Sequence, residues 1–226
     1  MSDTRPSFVS GLAASLPIVM GYVPIAFSFG IAATRAGFTP AEAFALSLFI
    51  YAGASQFLAL ALLTSGAPVL VSALTLMAMN LRHVIYGPAL MTAAGAEARW
   101  PWVWGFGLTD EVFGQALGAL ARGQRFSERH MAGLALGAYA SWLGGTAAGA
   151  YAGGGALAGY PALNAALGFM LPALFLALLL SILTRAMLAV IAVAAAVTVA
   201  GTLAVGGTTG ILAGMVAGAL TGVVRR

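Results

Sequence analysis

Long apolar runs alternate with short groups of polar and turn-forming residues along the whole chain. A transmembrane helix needs about 20 apolar residues to cross about 30 Å of hydrocarbon. On that basis the pattern predicts spans at residues 8–34, 40–64, 69–95 and 101–120, two between 131 and 184, and two short ones beyond 185 that break near 206–207. The predicted fold class is therefore all-α, a polytopic integral membrane helical bundle with seven or eight transmembrane helices.

Composition supports lipid as the solvent of this chain. Of its 226 residues, 61% are apolar and 7% are charged, and the mean hydropathy is +0.98. The net charge of +4 would suggest nucleic-acid binding in a soluble protein, but the ten basic residues, all Arg, stand singly or in small groups between apolar runs. With no Cys and only two His, neither a metal site nor a cofactor is expected.

The arginines also predict an orientation. A cytoplasmic N-terminus places five of them inside, which are Arg5, Arg122, Arg125, Arg129 and Arg185. Only Arg35 and Arg99 are then outside, in agreement with the positive-inside rule. An eighth helix would bring the two C-terminal arginines inside as well, which favours eight helices over seven.

A weak internal repeat emerges when the sequence is shifted by 88 positions. Gly30 then meets Gly118, and Tyr51-Ala52 meets Tyr139-Ala140. The shift spans three predicted helices, an odd number, so the second copy would be inverted, as in many secondary transporters with broken helices. We predict a single transmembrane domain over 1–226, with repeats at about 8–95 and 100–184 and C-terminal helices at 186–224.

Polar and ionisable residues inside a span cost free energy, about 2.5 to 3.5 kcal/mol for a charge, so their positions carry the functional signal. The first group is residues 21–30, where Pro24 and two glycines interrupt an apolar run that also holds Phe27. A helix broken here would offer its N-terminus to a carboxylate. The alternative is an ordinary proline kink.

The second group is Ala52-Gly53-Ala54-Ser55-Gln56-Phe57, in which small residues permit close helix approach. Gln56 is suited to orient an amino acid's ammonium or carboxylate group, with Ser55 beside it. Polar contact between helices is the alternative explanation for both residues.

The third group is Asn80-Leu81-Arg82-His83. Arg82 offers a planar fork that matches a carboxylate, and His83 titrates near neutrality, which suits proton coupling. Alternatively, both side chains are interfacial, since an Arg near a helix end extends to the head groups.

The fourth group, Thr109-Asp110-Glu111, is the strongest anomaly, because it places two adjacent carboxylates in an apolar span. Adjacent residues are about 100° apart on a helix, so at least one carboxylate should face a cavity or a basic partner. Arg82 is the partner we expect for Asp110 or Glu111. A loop or re-entrant turn at this point is the alternative.

These four groups occur in the order and spacing of the AzlC family of branched-chain amino-acid permeases, which residues 10–150 resemble. The resemblance implies export of leucine, isoleucine or valine, and in some members methionine, across the bacterial inner membrane, driven by the proton gradient. It also implies a small partner, a polytopic subunit of the AzlD family.

Roles for individual residues follow as a hypothesis. Arg82, or the helix break at Pro24, would hold the substrate carboxylate, and three further side chains would complete the polar contacts: Ser55, Gln56 and Asn80. Phe27 would receive the aliphatic tail.

Proton coupling is assigned to the titratable groups. Asp110 or Glu111 would neutralise the substrate's ammonium group or exchange protons, with His83 as a third candidate.

Three other classes of protein compete with this interpretation. A passive amino-acid or small-solute channel would use the same polar interior without a coupling carboxylate. An intramembrane enzyme would use His83 or the 110/111 pair as acid and base, although HExxH and phosphate-loop motifs are missing from the sequence. A purely structural subunit would not require carboxylates within a span.

Overall fold

The computed structural model describes residues 6–95, 97–153 and 187–224, together with scattered positions between 159 and 185. In these residues the chain forms helices and no strands. The helices are α1 (Phe8–Ala14), α2 (Leu16–Arg35), α3 (Pro40–Phe49), α4 (Gly53–Thr64), α5 (Val69–Asn80), α6 (Arg82–Ala94), α7 (Pro101–Gly105), α8 (Asp110–Ala121), α9 (Glu128–Ala152), α10 (Met187–Val205) and α11 (Gly207–Val224).

The chain divides into two compact units. The first comprises Met1–Ala61 and Leu76–Met170, and the second comprises Leu62–Thr75 and Leu171–Arg226. Three described runs are long and apolar enough to cross a bilayer: Leu16–Arg35, Val69–Ala94 and Met187–Val205. The predicted break near 206–207 is confirmed, because Gly206 separates α10 from α11.

Of the two possibilities left open for residues 21–30, the structure has a proline within a continuous helix and not a broken helix. Helix α2 runs without interruption through Pro24 for 20 residues. The helix is interrupted earlier, at Ser15, whose hydroxyl donates to the Leu12 carbonyl at 2.7 Å, and Pro17 follows in the first turn of α2. Pro24 is exposed on the surface of its unit, and a proline tolerated inside a helix requires only that its neighbours absorb a kink.

Small residues bring α2 and the second half of α9 close together. A Cβ on Gly145 would lie 2.8 Å from the Cβ of Ala26, and one on Gly149 would overlap the backbone of Phe27. One on Gly153 would lie 3.2 Å from the Cα of Ile31. The paired positions rise together in both helices, so α2 and α9 are parallel, and the chain between them returns to the side from which it started.

That return includes a hairpin formed by α3 and α4. Thr39 begins α3 with a capping box shared with Glu42, and the helix ends before a bend at residues 50–52. Beyond the bend the chain turns back, because Gln56 Nε2 donates to Ser47 Oγ at 3.0 Å, and Ala43 and Leu60 share one apolar cluster.

The expectation of one span over 40–64 is therefore wrong. Helices α3 and α4 have 10 and 12 residues, or about 15 and 18 Å at 1.5 Å per residue, and each is shorter than the hydrocarbon layer. The hairpin is re-entrant.

A second re-entrant segment replaces the span predicted at 101–120. Helix α7 ends at Gly105, residues 106–109 form a turn, and α8 begins at Asp110. Gly107 packs against Ala135 in α9, while the Trp100 N–H donates to Glu128 Oε1 at 2.7 Å near the start of that helix. The chain thus enters beside the first half of α9 and turns at 106–109. Of the two possibilities left open for Asp110 and Glu111, the structure has the re-entrant turn.

This turn corrects the placement of Arg99. Residues 6–9, 93–94, 97, 120 and 123–129 line one open cleft of about 1160 Å³. The ends of α6 and α8 and the starts of α1 and α9 therefore lie at the same end of the unit. Arg99 is two residues beyond Glu97 and joins Arg122, Arg125 and Arg129 there, whereas Arg35 ends α2 at the opposite end. The prediction that Arg99 shares a side with Arg35 is wrong.

The predicted internal repeat pairs α9 with the α3–α4 hairpin, and the two segments agree in length but not in structure. Subtracting 88 from the limits of α9, residues 128 and 152, gives 40 and 64, which are the limits of the α3–α4 hairpin. The two segments match in length but differ in form, because α9 is one continuous helix. The inverted repeat stays a prediction.

In the second unit, α10 and α11 form an antiparallel pair with small residues at the contact. A Cβ on Gly201 would lie 2.8 Å from the Cα of Gly210, and one on Gly218 would lie 3.0 Å from the Cβ of Ala194. Because lipid gives no hydrophobic drive for helices to associate, close backbone packing of this kind holds them together.

We expect Gly149→Ala and Gly144→Ala to change stability in opposite directions. Alanine is favoured over glycine within a helix by about 0.5–1 kcal/mol, and Gly144 has open space around it. At Gly149 the added methyl group overlaps the backbone of α2, and overpacking costs about 1–3 kcal/mol. Thermal unfolding in detergent measures both, and equal midpoints would contradict the α2–α9 contact.

The re-entrant turn is testable with single cysteines, because the chain has none. We expect Glu97→Cys and Ala121→Cys to react with an impermeant maleimide from one face of the membrane, and Ala36→Cys from the other. If residues 101–120 crossed the bilayer, positions 97 and 121 would label from opposite faces. Labelling of intact cells and of inverted vesicles distinguishes the two arrangements.

Candidate functional site

An ion pair joins α6 to α8. Arg82 Nη1 lies 2.8 Å from Asp110 Oδ2, and the hydroxyl of Tyr86, one turn after Arg82, donates to Asp110 Oδ1. Arg82 is the first residue of α6 and the fourteenth of the 26 residues in the apolar run Val69–Ala94, so it lies at the break between α5 and α6, near the middle of that run. The side chains of Arg82 and Asp110 are 45% and 41% exposed within the chain, so one side of the pair is open.

The second carboxylate faces a different helix. Glu111 Oε2 lies 2.5 Å from the hydroxyl of Tyr22 in α2, and that hydroxyl lies 2.6 Å from Thr109 Oγ1. Since a phenol has one proton, Tyr22 donates to the carboxylate and accepts from Thr109. In the described part of the chain, no cationic side chain pairs with Glu111.

The start of α8 supports both carboxylates. Thr109 is the N-cap, and its Oγ1 accepts from the Val112 N–H at 3.3 Å. Asp110 and Glu111 occupy the first turn, where the helix dipole favours negative charge. The turn at 106–109 places this helix end beside α2 and α6, and both carboxylates keep an open side, since the Asp110 side chain is 41% exposed and Glu111 is exposed.

Tyr51 occupies the bend between α3 and α4, and it is 9% exposed. Its ring meets the edge of Tyr139 at 4.8 Å between centroids and that of Tyr22 at 6.4 Å, and it stacks with Phe106 at 6.4 Å. The bend of the first hairpin and the turn of the second therefore meet around these aromatic rings.

A buried hydrogen-bond network fixes the hairpin. Trp142 Nε1 donates to Gln56 Oε1 at 2.8 Å, and Gln56 Nε2 donates to Ser47, so both halves of the Gln56 amide are used within the protein. Ser55 Oγ donates to Asn80 Oδ1 at 2.8 Å. Ser55 and Gln56 are fully buried. For these residues the geometry favours the alternative explanation, polar contact between helices.

The remaining sequence candidates lie around this centre. His83 Nδ1 is 3.2 Å from the Asn80 carbonyl oxygen, and its ring meets the edge of Tyr86 at 5.3 Å between centroids. Phe27 is half-buried, and its backbone contacts Gly149 in α9. The sequence predictions therefore converge on Arg82, Asp110 and Glu111, with His83 nearby, whereas Pro24 is on the surface.

Comparison with known proteins gives the family. A family model described as AzlC protein matches residues 17–155. The chain belongs to the AzlC family. The matched region includes both hairpins and every residue of the site above.

Relatives of this AzlC protein are membrane proteins. Inner membrane protein YgaZ of Escherichia coli (strain K12) is 50% identical over 170 residues, which cover 74% of this chain and 69% of the relative. An uncharacterized membrane protein of Archaeoglobus fulgidus is 46% identical over 147 residues, 65% of this chain and 63% of the relative. One from Helicobacter pylori (strain J99) is 30% identical over half of each chain. No solved structure matches the chain.

Sequence reasoning missed the phenols of this AzlC protein: Tyr22, Tyr51 and Tyr86. Tyr86 follows Arg82 by four residues, a spacing that places both on one helix face, so its contact with Asp110 was predictable from spacing. Tyr22 lies in the segment that drew attention to Pro24, but the sequence gives no indication that it reaches Glu111, 89 positions away.

We expect the Arg82–Asp110 pair to behave as a unit in a double-mutant cycle. Arg82→Gln or Asp110→Asn alone leaves one charge without its partner, and each should lower the thermal midpoint. The double variant removes both charges and should recover part of the loss, with a coupling of roughly 1–2 kcal/mol, below the 3–5 kcal/mol of a fully buried pair, because this pair is partly open. Additive losses would contradict the pairing.

Proposed function

We propose that this AzlC protein exports branched-chain amino acids across the bacterial inner membrane, coupled to protons and together with a small AzlD-like subunit. The observation that carries the proposal is the unequal partnering of the two carboxylates at the start of α8. Asp110 is neutralised by Arg82, while Glu111 has only hydroxyl partners among the described residues.

That asymmetry suits a transporter. Arg82, Asp110 and Glu111 together carry a net charge of −1, so their surroundings favour a cation, either a proton or the ammonium group of an amino acid. Protonation of Asp110 would release Arg82 to bind a substrate carboxylate. The open side of the ion pair is the access that such an exchange requires.

Both re-entrant segments place helix ends inside the membrane, as at the substrate sites of many secondary transporters. The aliphatic tail of the substrate would then contact apolar side chains around the site. Such a pocket distinguishes one methylene by about 1–3 kcal/mol. Leucine, isoleucine and valine, and methionine as well, should therefore be exported by the same protein.

The N-terminus is proposed to be cytoplasmic. Arg99, Arg122, Arg125 and Arg129 lie at the end of the unit where α1 begins, while Arg35 lies at the other. The positive-inside rule assigns the first end to the cytoplasm.

Export from cells that are fed leucine-containing dipeptides tests this function. Cells that express the full chain with its small subunit should release leucine faster than cells that lack both, and Asp110→Asn or Glu111→Gln should reduce export about tenfold or more, since a hydrogen bond to a charged group contributes about 1.5–3 kcal/mol. Glu97→Gln, in an exposed loop, is the matched control and should export at the parent rate.

An uncoupler distinguishes export from passive flow. A proton-coupled exporter loses its ability to drive leucine outward against a gradient when the uncoupler is added, whereas a channel never builds such a gradient. Parent-like export by both carboxylate variants would overturn the proposed role of these residues.

A further inference from the structure

The hydroxyl of Tyr51 is the buried side-chain polar atom without a hydrogen-bond partner in the described residues. Tyr51 is 91% buried, since 9% of its surface is exposed. A buried polar group that lacks a partner costs free energy comparable to a lost hydrogen bond, so native proteins rarely retain one without a use.

The hydroxyls of the two tyrosines that contact Tyr51 both form hydrogen bonds, in contrast to that of Tyr51. Tyr139, which packs on the ring of Tyr51, donates its hydroxyl to the Leu48 carbonyl at 2.8 Å. Tyr22 has Glu111 and Thr109 as partners. A phenylalanine at position 51 would keep every ring contact and avoid the cost of the hydroxyl.

The Tyr51 ring lies 6.4 Å from that of Tyr22 between centroids, and its hydroxyl is close to those of Tyr22 and Thr109 without reaching hydrogen-bond geometry with either. The Tyr22 hydroxyl in turn contacts Thr109 Oγ1 and Glu111 Oε2. Three hydroxyl oxygens and one carboxylate therefore converge between the bend of the first hairpin and the start of α8. The carboxylate determines the sign of the ligand, because a second anion placed here would be repelled and a cation attracted.

We propose that this cluster, defined as Tyr22, Tyr51, Thr109 and Glu111, is a binding site for a primary ammonium group and that Tyr51 is one of its ligands. A primary ammonium has three donors. Glu111, Tyr51 and one of the other two hydroxyls supply three acceptors, and the faces of the aromatic rings nearby favour a cation as well. The proposal rests on the proposed function, since it names the site for the amino group of the exported amino acid.

Leucine and two of its analogues test the site. Leucine has both charged groups, 3-methylbutylamine lacks the carboxylate, and 4-methylpentanoate lacks the amine. With the full chain and its small subunit in lipid nanodiscs, we expect leucine and 3-methylbutylamine to bind and 4-methylpentanoate to bind far more weakly. Tyr51→Phe should weaken the first two by about ten- to hundredfold, which corresponds to one hydrogen bond to a charged group.

Tyr139→Phe is the matched control, because it removes a hydroxyl that has a structural partner. It should lower the thermal midpoint and leave the Kd for leucine unchanged. Tyr51→Phe should raise the Kd for leucine without lowering the thermal midpoint. If Tyr51→Phe instead lowered the midpoint and left the Kd unchanged, the hydroxyl would hold a structural water, and the proposal would be overturned.

The outcomes separate this inference from the proposed function. Binding of 3-methylbutylamine that depends on Tyr51, without binding of leucine, would support the ammonium site and contradict amino-acid export. Leucine binding that is indifferent to Tyr51 would leave export standing and overturn the site. Absence of binding by all three probes would overturn the site as well.

Discussion

The constraint on which this structure depends is that no backbone or charged group inside hydrocarbon can rely on water for a partner. Each interruption of a helix must therefore be paired within the protein. The bend at 50–52 is paired by Tyr139, which binds the Leu48 carbonyl, and by the Trp142–Gln56 hydrogen bond just beyond it. The turn before α8 is capped by Thr109. Both interruptions lie against α9, which supplies the partners for the first.

The parallel pair of α2 and α9 makes that arrangement possible. Glycines at the contact bring the two backbones close, so the pair forms a narrow and rigid support for the hairpins beside it. On the same two helices, larger residues face the hairpins. Tyr22 and Trp142 lie in edge-to-face contact at 5.0 Å between centroids, and from that position Tyr22 reaches Glu111 while Trp142 reaches Gln56.

The sequence predicted the helical class and the break at Gly206 because both depend on local composition. It also predicted that Arg82 meets Asp110 or Glu111, since charges in an apolar run need partners. It failed on the hairpins, because a run of 25 apolar residues has the same composition whether it crosses the bilayer or turns back halfway. It offered a helix break at Pro24 as one of two possibilities, although the chain bends at residues 50–52, where there is no proline. Hydrogen bonds from residues about 90 positions away stabilise that bend, and a single sequence does not predict such contacts.

The two adjacent carboxylates of α8 divide the charge of the site between two neighbouring helices. Residues 110 and 111 are about 100° apart around a helix, so Asp110 is directed to α6 and Glu111 to α2. One carboxylate is balanced by a fixed cation, and the other has hydroxyl partners that contribute no charge. Because the two residues are adjacent in sequence, a cation bound at Glu111 would also change the net charge close to Asp110. In the proposed transport function, this adjacency would couple cation binding at Glu111 to the strength of the Arg82–Asp110 ion pair through electrostatics alone.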